Sequence, residues 1–124
     1  MVAYDYAYIR AVPHPHLPCG ETVAAVLHAR RAGLLAIATA DADAVAVRWP
    51  SLDAALLARY LDALVVLAHG GDSPIGRLPP SERFHFLTAV RSTVLQPGDV
   101  RTGLDDDPEA AFRRIASACA LAVR

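Results

Sequence analysis

Arg91-Ser92-Thr93, followed by Gln96, Arg101, Thr102 and Gly103, is the stretch whose residue types come nearest to a binding or reactive site. Hydroxyls and guanidinium groups placed together hold a carboxylate or phosphate through charge-assisted hydrogen bonds, and the guanidinium fork does so in bidentate fashion. Glu21 supplies a carboxylate that could act as acid or base on an anion held there. The competing reading gives the same residues a structural task, in which the hydroxyls tie down irregular backbone and Arg91 pairs with Glu21 or an Asp inside the fold. Residue types are compatible with both.

A second constellation, His14-Pro-His16-Leu-Pro-Cys19-Gly-Glu21, packs four possible metal ligands into eight positions. It matches no strong zinc spacing and lacks a second ligand pair nearby, so a stiff, solvated loop is expected and no metal is assigned. The run Asp105-Asp106-Asp107 stands just before Pro108, where an acidic residue caps a helix, and is read as a cap plus solvated charge. No nucleophile elbow, zinc-protease helix motif or dinucleotide fingerprint occurs, and no Ser–His or Cys–His pairing follows from the spacing of the five histidines. All twelve basic residues are Arg, which excludes Schiff-base chemistry, a Lys general base and the Lys-bearing phosphate loop.

Those residues need a scaffold. A chain of 124 residues that is 54 % hydrophobic and 20 % charged reads as one domain, residues 1–124, with an ordinary packed core. A formal charge of −1 creates no field that would draw it to nucleic acid or an anionic membrane. The apolar stretches are interrupted by Asp41, Asp43 and Asp62 and fall short of a membrane span. With two cysteines, no disulfide framework and no signal-peptide pattern at the start, a reducing cytoplasmic setting is expected.

Ala3 to Val12 alternates as a strand, with Tyr4, Tyr6 and Tyr8 on one face and Ala7, Ile9 and Ala11 on the other. The tyrosine stripe is either a binding platform or packing beneath a helix. Thr22 to Ala29 and Leu34 to Ala40 read as a hairpin turning at Gly33, and Ala44 to Trp49 as a short fourth strand. Pro50-Ser51-Leu-Asp53 starts a helix, capped by Ser51, whose Leu56, Leu57, Tyr60, Leu61 and Leu64 recur at helical spacing up to His69-Gly70. Residues 81–90 fit either a short helix or a strand, and Arg91 to Gly103 fits a strand broken at Pro97-Gly98. A last helix opens at Asp107-Pro108 and buries Phe112, Ile115, Ala116, Cys119 and Ala122 or Val123. The expected fold is α+β, an antiparallel sheet of about four to five strands with two main helices packed on it.

The segment from Ser81 to Pro97, then Val100-Arg-Thr-Gly-Leu104 and Asp107-Pro108, resembles a bacterial family known only as domain of unknown function 3037. The opening Tyr6-Ala-Tyr-Ile-Arg10-Ala-Val-Pro13 and Gly20-Glu21 resemble it too. The resemblance carries no established activity, cofactor or catalytic residue, and implies a neighbourhood with HipA-like kinases. Positions matched by motif are Arg10, Glu21, Arg91, Ser92, Thr93, Gln96, Thr102 and Gly103. The chain departs from the family pattern in having Ala24 and Val26 where Asn and Gly are usual, and Arg101 where His is usual. It therefore resembles a divergent member, and if the replaced residues carry catalysis it is an inactive one.

The reading is a protein-interaction or accessory module, partner to a HipA-like kinase or a toxin–antitoxin component, with no cofactor, no catalytic residue assigned and possible homo-oligomerisation. The alternative is an enzyme or binder of an anionic metabolite or nucleotide, using Arg10, Glu21, Arg91, Ser92, Thr93, Gln96, Arg101 and Thr102.

Overall fold

Side-chain alternation places the first strand, Val2–Ala11 (β1): Ala7, Ile9 and Ala11 are buried on one side, and Tyr4, Tyr6 and Tyr8 lie half-buried on the other. The computed structural model describes residues 1–12, 20–89 and 94–124, so His14, His16 and Cys19 lie outside the described residues. Glu21–Ala29 (β2) is apolar from Val23 on except for His28, and buried through Ala29, as a strand covered on both faces requires. Leu34–Thr39 (β3) returns antiparallel to it after a turn in which Gly33 takes φ +62° and donates its N–H to the Arg30 carbonyl.

The segment expected as a fourth strand is a helix, Ala42–Arg48 (α1). The Asp41 carboxylate accepts the Asp43 N–H at 3.0 Å, and the buried residues Ala42 and Val45 are three apart. Its Ala-Val alternation imitates a strand, but the cap and the helical spacing decide. Ala54–His69 (α2) follows. Its N-cap is Asp53, whose side chain accepts the Leu56 N–H, and not Ser51. Leu57, Leu61, Leu64 and Ala68 are its buried stripe.

The ambiguous segment resolves as a helix, Pro80–Leu87 (α3), which buries Phe84 and Leu87. In the described part of the Arg91-to-Gly103 segment, from Val94 on, the expected strand is two pieces, Leu95–Pro97 (β4) and Arg101–Asp105 (β5). Both pair with the same edge of β1, at Ile9 to Ala11 and at Val2 to Tyr6, and between them only Gly98 N–H reaches the Tyr8 carbonyl. Pro97 ends the first ladder because it has no N–H to give.

Asp107 caps the last helix, Pro108–Ala118 (α4), as expected. The Asp105 carboxyl is held below the ordinary carboxylate range, first by the Asp107 N–H and then by the Arg114 guanidinium. The helix does not run on to Ala122 and Val123, which form a short strand, Ala122–Val123 (β6). Leu121 N–H bonds the Ala116 carbonyl and Ala120 N–H bonds Ser117, which closes the helix with Ala120 at φ +54°. That position favours Gly, so Ala120→Gly should stabilise the protein by about 0.5–1 kcal/mol, seen as a higher urea midpoint at unchanged slope.

Among the described residues there are thus six strands and four helices, against the four to five strands and two main helices expected. The sheet order is β4-β1-β2-β3-β6, antiparallel throughout, with β5 also on β1. One face packs under α1, α2 and α3 through Ile9, Val26, Ile37, Leu57, Leu61 and Leu87. The other packs under α4, where Phe112, Ala116 and Leu121 meet Leu27 and Ala38. The three tyrosine rings border this second cluster, 5.9 and 6.0 Å apart in sequence, so the stripe packs against a helix side as one of its two readings required. No described helix is long and apolar enough to cross a membrane.

Candidate functional site

Arg91, Ser92 and Thr93 lie outside the described residues, and the other five expected site residues fall on two opposite faces of the sheet. Strand periodicity is the cause: residues paired directly across a ladder share a face, and neighbours along a strand do not. Arg10 pairs with Thr22 on β2 and Gln96 on β4, and Arg101 pairs with Tyr6, which puts all of them on the α4 face. Glu21 pairs with Ala11 and Thr102 with Asp5, on the face covered by α1, α2 and α3. Val23 is the extra residue of a bulge in β2, between the pairs Ile9–Ala24 and Arg10–Thr22.

The two residues on the helix-rich face are occupied. Glu21 Oε1 accepts the Arg48 Nε–H at 2.6 Å and forms an ion pair with its Nη2, which fastens the last turn of α1 to the start of β2. Its Oε2 is buried and has no hydrogen-bond partner among the described residues. Thr102 Oγ1 donates to Asp5 Oδ1 at 2.8 Å. Glu21 and Arg101, expected to act on one ligand, do not share a face.

On the α4 face, Tyr8, Arg10, Thr22, Gly98, Asp99 and Arg101 line a hollow of about 290 Å³. Neither guanidinium forms an ion pair with a carboxylate among the described residues. Burial lifts the Tyr8 phenol above the ordinary tyrosine range, Cys119 and Tyr6 add to the shift, and Arg101 opposes it. A phenol, a hydroxyl and two guanidinium groups are donors suited to a small anion, with Asp99 as the one opposing charge.

A different feature stands at the far edge of the sheet. Strand β6 covers β3 only at Ala38 and Thr39, with one further bond from Arg124 N–H to the Ile37 carbonyl at 2.9 Å. The Ile37 carbonyl therefore faces outward, and the two-residue period turns the Leu35 N–H and C=O outward as well. Leu34 to Ala36 have no strand partner on that side among the described residues. Beside this bare edge runs an apolar groove of about 330 Å³, floored by Leu34, Ala36 and Phe112 and flanked by Val123, Glu109 and Arg113. An edge strand next to a helix-lined apolar groove takes up an extended peptide: main-chain bonds give affinity and alternate side chains enter the groove.

The sequence reading missed this edge because nothing local marks a strand as outermost. The apolar pair Ala122-Val123, which forms the short edge strand, is read more naturally from the sequence as the end of the helical stripe. Comparison with known proteins finds no matching curated protein and no matching solved structure. A family model described as Protein of unknown function (DUF3037) matches residues 6–119, from the middle of β1 through α4. The chain, with its doubly covered sheet and bare β3 edge, belongs to the DUF3037 family.

Proposed function

We propose that this chain is a single-domain accessory module that binds another protein by adding an extended segment of it to the open edge of β3. One observation supports this above the others: the outward-facing main chain of Leu35 lies beside an apolar groove floored by Leu34, Ala36 and Phe112. The incoming segment runs in line with β6, and its alternate side chains, apolar ones, enter the groove. The family resemblance points to a HipA-like kinase, or a related toxin–antitoxin component in a bacterial cytoplasm, as the partner to test first.

The experiment is size-exclusion chromatography of purified protein with such a kinase, using wild type, Leu35→Pro and Ala36→Arg. Proline removes only an outward N–H, which edge strands tolerate, and Ala36→Arg fills the groove. The expected result is a one-to-one complex that both variants weaken at least tenfold while their far-ultraviolet spectra stay unchanged. No complex, or one indifferent to both variants, contradicts the proposal. A dimer of the chain alone that Leu35→Pro dissolves would replace the kinase with a second copy.

The Arg10–Arg101 hollow favours a second reading, a site for an anionic metabolite, with Tyr8 and Thr22 as further donors and Gln96 beside Arg10. Glu21 takes no part in it, since it sits on the other face.

A further inference from the structure

The face covered by α3 holds a cleft of about 460 Å³ between α3 and the ends of β1, β2 and β5, a size that admits a drug- or nucleotide-sized molecule. Asp5 and His28 line it side by side from two strands, and Thr102 on a third braces Asp5 from outside the cleft. Thr102 on β5 donates to Asp5 on β1, and Asp5 stands directly opposite His28 on β2. Phe84 of α3 closes over the pair, its ring 5.7 Å from the His28 imidazole.

His28 is the unusual member. It is 9 % exposed and lines the cleft, yet neither ring nitrogen has a hydrogen-bond partner among the described residues. Nearly buried imidazoles are normally satisfied by protein groups, so one left open toward a cavity marks a place for a ligand. Burial lowers its pKa below the ordinary histidine value, Asp5 pulls it back up and Arg30 pushes it further down. The neutral ring presents one N–H donor and one acceptor. Arg30, exposed at the end of β2, and the Ser81 hydroxyl in the first turn of α3 line the mouth, as does His85.

We propose that this cleft is a binding site for a small anionic ligand whose body carries both hydrogen-bond donors and acceptors, the chemistry of a nucleoside monophosphate. Arg30 takes the anionic group, with Ser81 and the positive end of α3 beside it. His28 takes a donor–acceptor edge of the body, Asp5 accepts from an amino group, and Phe84 offers an apolar wall. Asp5 keeps one oxygen on Thr102, which fixes the carboxylate's direction. This site is separate from the β3 edge and from the Arg10–Arg101 hollow, which lies on the opposite face of the sheet.

The test is a titration of the whole protein with adenosine monophosphate, followed through the imidazole C–H resonances of His28, with inorganic phosphate and adenosine as separate arms. The expected result is saturable movement of the His28 signals by adenosine monophosphate. Phosphate alone should bind at least tenfold more weakly and leave those signals near their starting positions. Arg30→Gln, a substitution of an exposed side chain, should weaken binding at least tenfold, and Arg101→Gln should leave it unchanged. His28→Phe, which keeps the packing on Phe84 and is followed by titration calorimetry because it lacks the imidazole probe, should lose the binding heat that wild type shows while the thermal midpoint stays within a few degrees. No saturable shift, or a shift as strong in Arg30→Gln as in wild type, overturns the proposal. Loss of binding in Arg101→Gln alone would place the ligand in the other hollow and overturn it too.

Discussion

Replacing Phe112 with alanine is expected to lower the unfolding free energy by about 3–5 kcal/mol. Phe112 is 2 % exposed and heads the largest fully buried side chains. It is also the anchor by which α4 holds its face of the sheet. The buried cluster it belongs to is made largely of small side chains, Ala25, Ala29 and Ala38 on the strands and Ala116 on its own helix, beside Leu27 and Leu121. Side chains that small cannot move into the space a phenyl ring leaves, so the cavity stays open and the cost lies high in the range. Phe112→Leu keeps most of the volume and should cost about 1–2 kcal/mol. Urea unfolding of the two variants checks the pair, and a loss below about 1 kcal/mol for alanine would mean that α4 is not held this way.

Arg83→Met is expected to cost about 2–4 kcal/mol, the second largest effect. The Arg83 Nη1 donates to the carbonyls of Ala68 at 2.5 Å and Leu67 at 3.3 Å, and its Nε donates to Leu78 at 3.0 Å. One half-buried guanidinium thus satisfies the last turn of α2, places positive charge at the negative end of that helix and fastens the loop that leads into α3. Gly70 leaves room for it, since a Cβ there would lie 3.1 Å from Nη1. Methionine keeps the stem but strands the carbonyls. Lysine should recover less than half of the loss, because a single ammonium cannot reach both sides of the fork's span. Thermal and urea unfolding of Arg83→Met and Arg83→Lys give the comparison, and equal stability of both with wild type would remove Arg83 from this role.

Local chemistry made several elements legible in the sequence. Gly33 marked the β2–β3 turn, Asp107-Pro108 marked the start of α4, and His69-Gly70 marked the end of α2. Ala42 to Arg48 misled because alternating Ala and Val satisfies a two-residue period while the buried pair Ala42 and Val45 obeys a helical one. The reversal after α4 left no mark because Ala120 occupies a left-handed position that Gly usually signals. Strand rank and pairing partner are non-local properties, so neither the bare edge of β3 nor the meeting of Asp5 with His28 could be read from spacing. A hint did exist for the second: Asp5 has the same parity in β1 as Ala7, Ile9 and Ala11, and a carboxylate on the apolar side of a strand needs a reason. The expected grouping of Arg10, Glu21, Gln96, Arg101 and Thr102 failed on the same ground, because pairing register divides them between the faces.

The accessory-module reading turns on one backbone amide. Hydrogen exchange at Leu35, measured before and after adding a HipA-like kinase, tests it most directly, since that N–H faces outward beside the groove. Strand addition predicts at least a tenfold rise in protection at Leu35, with the amides of β1 and α2 unchanged. Protection that leaves Leu35 untouched and appears around Arg10 and Arg101, or along α2, would contradict the account and move the interface elsewhere.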